Sequence, residues 1–213
     1  MEFKENIIFG FPIYVGHINP KDYKKENIIQ TIEKNYKINK IRNSWDSSSN
    51  LHHNYNDWDN PDFHKVDFSS LFPIYENSLK NIFNLMSVKN GFKFEYKIIN
   101  YTCMSENQFM IDHEHGESDF NAIHYLQLDD LQTGTELVST YPFQSYLDYL
   151  RPNLKKIFDA NDLRNSWMFQ TWKPPTEEDD FFFMPSLLRH RVPPQKFKNK
   201  NRITVVLNIR VYV

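Results

Sequence analysis

A single cysteine, Cys103, stands in a chain of 213 residues. That excludes an internal disulfide framework and a cysteine-based zinc site. The N-terminus, MEFKENIIFGFPIYVG, carries early acids and no apolar run long enough for a signal peptide or a membrane span. These absences lead us to expect a soluble, cytoplasmic protein with no membrane partner. Charge of one sign is also lacking. The net charge is −2, the pI is about 6.4, and no block of five like charges occurs. A general nucleic-acid footprint is therefore not indicated, and Lys196–Arg202 (KFKNKNR) reads as a solvated turn. Glycine is scarce at five residues, whereas aromatics are abundant, with 18 Phe, 12 Tyr and 4 Trp. Aromatic side chains suit pleated, half-buried surfaces, so the composition leans towards strands.

Residues 7–16 read as a short strand broken at Pro12. The apolar positions Ile28, Ile29, Ile32 and Tyr36 have helical spacing, as do Leu71, Ile74, Leu79, Ile82, Phe83 and Leu85. Between these helices, residues 42–65 are polar and read as a long ordered loop or lid. Its Trp45, Trp58 and His52-His53 pair are placed to border a site. From residue 93 the chain turns to short β-branched and aromatic runs separated by turn residues, ending in RITVVLNIRVYV. Such runs after two helices predict an antiparallel sandwich or barrel with the helices packed outside, mostly β in an α+β arrangement. No domain boundary is evident. We expect one domain over 1–213, with its core at about 93–213 and helical support from 1–92. The segment Tyr141–Trp167 is longer than a plain strand connection and is expected to frame the pocket.

The segment MIDHEHGESDF (Met110–Phe120) concentrates histidines and carboxylates. If it is a strand, parity puts His113, His115 and Glu117 on one face and Asp112, Glu114 and Gly116 on the other. Either His113 with His115, or His115 with Glu117, then grips a metal of the iron, zinc or manganese type. A third candidate is His190, which follows the aromatic run DDFFFMP and would sit at that strand's mouth. A dozen residues on, Arg202 opens a strand whose parity groups Arg202, Thr204, Val206 and Asn208. An arginine aimed inwards from that position needs an anionic partner, because an unpaired buried charge is costly. Its alternative is an exposed edge arginine. On the intervening strand, Asn121, Ile123 and Tyr125 share a face and His124 takes the other, so parity favours Tyr125 as the inward residue.

This order of residues resembles the iron(II)- and 2-oxoglutarate-dependent oxygenases. More narrowly, it resembles prolyl 4-hydroxylase relatives common in bacteriophage and marine bacterial genomes. HEHGESDFNAIHYLQL runs parallel to that group's H-x-H-P-x-S and S-G-V-Y-Y motifs, and Gly134–Leu137 echoes its G-x-L. Met184–Val192 matches its F-P-S-W-L-x-H-x-V, and Arg202-Ile203-Thr204 with Asn208 matches its R-I-S-x-x-x-N. The resemblance is specific over roughly 93–213. It implies a double-stranded β-helix, or jelly roll, with Fe(II) held by His113, His115 and His190. It further implies that Arg202, with Tyr125 and Asn208 in its surroundings, holds 2-oxoglutarate. The activity implied is dioxygenase chemistry. 2-Oxoglutarate and O2 would give succinate and CO2 while a C–H bond of a peptide, amino acid or small metabolite is hydroxylated.

Position 115 departs from the pattern, being histidine where the commonest motif has aspartate. Glu117 in place of His113 would restore a carboxylate. Two other readings remain at this stage. A metal-binding cupin would use His113, His115, Asp119 and the Pro185–His190 spacing, although cupin glycines are missing and Arg202 has no role there. A catalytically inactive jelly-roll binding protein would use none of them.

Overall fold

The computed structural model describes residues 10–42, 48–55, 61–88, 91–139, 149–151, 153, 156–159, 162–196 and 199–212. The described residues include two long α-helices, α1 (Lys25–Ile38) and α2 (Phe72–Leu85). The strands are β1 (Tyr14–His17), β2 (His52–Tyr55), β3 (Lys93–Met104), β4 (Met110–His113) and β5 (Phe120–Gln127). They continue with β6 (Glu136–Val138), β7 (Thr171–Trp172), β8 (Asp180–Pro185), β9 (His190–Val192) and β10 (Arg202–Tyr212). A six-stranded sheet has the order β1-β8-β5-β10-β3-β2, and a four-stranded sheet the order β4-β9-β6-β7. Every strand pair within the two sheets is antiparallel. Two facing antiparallel sheets are the jelly-roll arrangement that the sequence predicts.

Strand alternation divides the large sheet into two faces. On β10, Ile203, Val205, Leu207 and Ile209 join the core under the helices, while Arg202, Thr204, Val206 and Asn208 face a cavity between the sheets. On β5, Ala122 and Leu126 take the helix side, and Ile123 and Tyr125 the inter-sheet side. Phe181 and Phe183 separate in the same way from Phe182 and Met184 on β8. The helices cover the outer face with their apolar stripes, Ile28 and Ile32 from α1 and Tyr75, Leu79 and Phe83 from α2. Pro73 sits in the first turn of α2, where its missing N–H costs nothing. Buried Asn35 of α1 donates to the His64 carbonyl (2.8 Å) and the Tyr101 hydroxyl (2.7 Å), which also accepts from Asn54 of β2. These bonds fasten α1 and β2 to the body of the large sheet.

Some sequence expectations change at the level of local geometry. The strand expected at 7–16 starts at Tyr14, beyond Pro12, and residues 1–9 lie outside the described set. The region read as a loop at 42–65 contains β2, an edge strand paired to β3. Its sequence, HHNY, is too polar to announce a strand, and an edge strand is where such a sequence is tolerated. Trp45 and Trp58 lie outside the described residues, as do 140–148 and several positions of the Tyr141–Trp167 segment. Leu163–Met168, in the segment expected to frame the pocket, forms a 3-10 helix, and Thr171–Trp172 follows as a short strand. The run 179–192 is two strands, split by a turn closed by Leu188 N–H to the Pro185 carbonyl (3.1 Å). Among the described residues, no helix is long and apolar enough to cross a membrane.

Candidate metal centre

Three histidines converge at the mouth of the inter-sheet cavity. His113 ends β4, His190 begins β9, and the two are directly paired across the ladder. Their ring centroids are 4.2 Å apart. His115 lies two residues beyond the strand end, stacked at 3° and 5.3 Å over the His190 ring. One ligand atom from each comes within 4.8 Å of the others, and the described residues hold no other such group of histidine, cysteine or carboxylate side chains.

The surrounding bonds orient these rings. His113 Nδ1 is 2.9 Å from the Ile111 carbonyl, and His190 Nδ1 is 2.9 Å from the Leu188 carbonyl. A carbonyl only accepts, so each Nδ1 carries a proton, and in the neutral ring the lone pair is on Nε2. That is the tautomer a metal ligand requires. The loop bearing His115 is held by its own N–H to the Ser186 carbonyl (3.0 Å) and by Ser186 N–H to the Asp119 carbonyl (3.0 Å). The Ser186 hydroxyl also donates to the Ser118 carbonyl. Burial pushes the His115 pKa down to about 4 and that of His190 well below the ordinary value, with His113 nearby adding to both shifts. Neutral imidazoles are the form in which a cation is bound.

Strand parity applies only as far as His113. Asp112 points outwards to Arg189 (3.1 Å). Beyond the strand end, Glu114 and Gly116 line the cavity together with His115 and Glu117. The sequence-based alternation is corrected there, because residues 114–119 are a loop without a two-residue period. Glu117 lines the cavity without entering the histidine cluster.

The cavity occupies about 420 Å³ and runs inwards from the histidines to Arg202. Arg202 is 1% exposed. Its Nε donates to the Thr133 carbonyl (3.1 Å), and its guanidinium lies 5.3 Å from the centroid of the Tyr125 ring. No described carboxylate pairs with it, and burial lowers its pKa. Tyr125 stands behind the cavity wall. Its hydroxyl donates to Thr135 Oγ1 (2.9 Å) and accepts from Thr135 N–H (3.0 Å). Next to it, Gly134 lets Thr176 approach the backbone closely, since a Cβ there would collide with Thr176 Oγ1. Asn208 lines the cavity, accepts from Asn121 Nδ2, and bonds the His115 side chain.

Sequence reading missed Thr102, Asn100 and Lys97 of β3, which form part of the cavity wall. A β-bulge explains the miss. Val206 of β10 pairs with Asn100 while Leu207 pairs with Ile98, so Ile99 is an extra residue and the parity of β3 switches there. The His52-His53 pair divides. His53 lines the cavity, whereas His52 packs against Tyr36, Phe63 and Tyr101.

Two histidines remote from the metal cluster give a stability prediction. His52 and His124 are fully buried, and burial lowers their pKa values to about 4 and about 3. Unfolded, each returns to about 6.5. Between these limits the unfolded chain binds more protons, so stability is complete above about 6.5 and falls as pH falls towards the folded-state values. Each histidine contributes a slope of roughly 1.4 kcal/mol per pH unit. Denaturant titration should show a loss of about 3–4 kcal/mol between pH 7 and pH 5 from this pair. His124→Gln should remove about half of it.

No family model matches the chain, and no curated protein matches it. Solved structures do. A prolyl hydroxylase from Trichoplax adhaerens, in complex with a peptide fragment of the hypoxia-inducible-factor oxygen degradation domain, matches with a TM-score of 0.54 and 10% identity. The match covers 94% of this chain and 83% of that one. A viral collagen prolyl hydroxylase from Paramecium bursaria Chlorella virus-1, in its 2-oxoglutarate complex, matches with a TM-score of 0.49 and 13% identity, over 94% and 97% of the two chains. A Pseudomonas putida prolyl-4-hydroxylase matches with a TM-score of 0.49 and 9% identity, over 93% and 92%. In its fold, this chain is similar to the Trichoplax adhaerens prolyl hydroxylase.

Proposed function

We propose that the protein is an iron(II)- and 2-oxoglutarate-dependent oxygenase that hydroxylates a C–H bond. One observation carries this reading. Arg202 is a buried guanidinium without a carboxylate partner among the described residues, at the inner end of a cavity whose mouth carries three converging histidines. An uncompensated buried charge is expensive, and a ligand carboxylate relieves it. A cation site and a carboxylate site in one small cavity suit a chelating keto acid with a second acidic end. The shared prolyl hydroxylase fold is consistent with this assignment. A cupin-like metal protein has no use for Arg202.

The donor set fits iron(II). His113, His115 and His190 would hold it and leave open positions for a bidentate keto acid and oxygen. Bound iron supplies the activation of O2, with 2-oxoglutarate leaving as succinate and CO2 and one oxygen atom entering the substrate C–H bond. The protein's own residues do the rest. Arg202 binds the distal carboxylate as a planar fork. Tyr125 and the Thr133 carbonyl hold that fork in place, so Tyr125 acts on 2-oxoglutarate through Arg202. Asn208 steadies His115. Met110, Ile123, Val192 and Val206 give the cavity apolar walls that limit water. The substrate is a peptide, an amino acid or a small metabolite, and the working unit is a single domain over 1–213. Incubating the protein with iron(II), 2-oxoglutarate and air should release succinate above a metal-free control. Succinate at the control level across a panel of peptides, amino acids and metabolites would refute the reading.

A further inference from the structure

Asn100 is a buried polar residue of the cavity that the proposed cofactors leave without a partner. Asn100 of β3 lines the cavity, is 5% exposed, and its Oδ1 has no hydrogen-bond partner. No described residue bonds its Nδ2 either. Other polar side chains of the wall bond one another. The Thr102 and Thr204 hydroxyls bond each other at 2.6 Å, and Asn208 bonds Asn121 and His115. Arg202 is assigned to the dicarboxylate. Asn100 stands apart from that end, opposite Val206, whereas Arg202 pairs with Met104. Four positions along β10 correspond to roughly 13 Å of strand.

Its pairing sets the direction of this residue. Asn100 lies opposite cavity-facing Val206 and shares a face with Thr102, while the bulge turns Ile99 to the cavity as well and returns Ile98 to the core. A buried amide without a partner, beside a site, points to a role other than packing. The walls near it are His53 and Tyr55 of β2 and the apolar Ile99, Val206 and Ile123. The residues paired with Asn100 on the two adjacent strands, Tyr55 and Val206, are both neutral. The charged lining residues, Lys97, Glu114, Glu117 and Arg202, come from other positions. A primary amide offers an acceptor and a donor side by side. Its natural complement is another amide, which offers the same pair reversed.

Building on the oxygenase reading, we propose that Asn100 determines specificity for the second substrate, which presents an amide group to it. The cavity lies near the small end of ligand sites, roughly 300–1,000 Å³, so it admits one side chain or one small molecule beside 2-oxoglutarate. Two sources share this chemistry, the peptide bond of a chain and the carboxamide of a side chain or metabolite.

The test uses the full chain with zinc(II) and 2-oxoglutarate, which do not turn over. Saturation-transfer NMR would compare N-acetylalanine methylamide for the peptide source, propionamide for the carboxamide source, and methyl propionate as the ester control. We expect at least one amide to bind roughly tenfold more tightly than the ester, the better of the two naming the source. Asn100→Leu should abolish that preference. It should melt at or above the wild-type temperature, since it removes an unpaired buried amide rather than a bond. Asn100→Asp serves as a second variant and should lose the preference as well. Equal binding of amides and ester, retention of the preference in both variants, or marked destabilisation of Asn100→Leu would overturn the proposal. Zinc and 2-oxoglutarate affinities are read in the same samples. If wild type holds neither, the oxygenase reading falls and takes this one with it. If it holds both without amide preference, only the role of Asn100 falls.

Discussion

Replacing His190 by alanine is expected to abolish metal binding, while the same treatment of an equally buried histidine elsewhere leaves it intact. His190 is 2% exposed, pairs with His113 across β4 and β9, and stacks with His115. Removing it opens the cluster from both sides. Loss of an outer hydrogen-bond partner of a metal ligand typically costs 10–100-fold in affinity. Loss of the ligand itself should therefore exceed roughly 100-fold in a titration followed by calorimetry. The comparison variant is His124→Gln. His124 is also fully buried, but it bonds Tyr75 at 2.8 Å and packs edge-on to Tyr23 under the helices. Metal affinity should survive that change. Equal losses in the two variants would mean that burial of imidazole, and not the cluster, governs the result.

The second large effect concerns Arg202 and has two signs. Arg202→Met should weaken 2-oxoglutarate binding by an amount typical of truncating a buried charge pair, about 2–5 kcal/mol, or roughly 30-fold to several thousand-fold. The same variant should be no less stable than wild type without ligand. Its guanidinium is buried against a backbone carbonyl and an aromatic ring without a described counter-charge, and apolar replacement of buried charges is often neutral or stabilising by about 1–4 kcal/mol. For a chain of this size, each 1 kcal/mol moves Tm by roughly 2–4 °C. The informative pattern is lost ligand binding with an unchanged or raised melting temperature. A structural arginine would show the reverse, with stability falling and 2-oxoglutarate affinity unaffected.

The alternation of RITVVLNIRVYV was legible in the sequence because both of its faces serve a purpose. Ile203, Val205, Leu207 and Ile209 fill the core under the helices, and Arg202, Thr204, Val206 and Asn208 face the cavity. The three histidines were legible as types at informative spacings, and the structure brings them together with Arg202 in one cavity. What escaped were departures from regular geometry. A bulge at Ile99 reverses the parity of β3, so that Ile99 and Asn100 both face the cavity. The end of β4 at His113 releases Glu114 from alternation. A polar edge strand, His52–Tyr55, has no hydrophobic pattern to announce it. The engagement of the Tyr125 hydroxyl by Thr135, beside the Arg202 guanidinium, is another contact of this kind. Each of these depends on register or on long-range pairing, which local periodicity does not encode.

The most direct test of the oxygenase account is an anaerobic absorption titration of the protein with iron(II) and 2-oxoglutarate. A chelated complex in this cavity should give a weak visible charge-transfer band that requires both additions. The band should be absent in His190→Ala and should need far more 2-oxoglutarate in Arg202→Met. A wild-type protein that binds iron(II) but develops no such band at saturating 2-oxoglutarate would contradict the account.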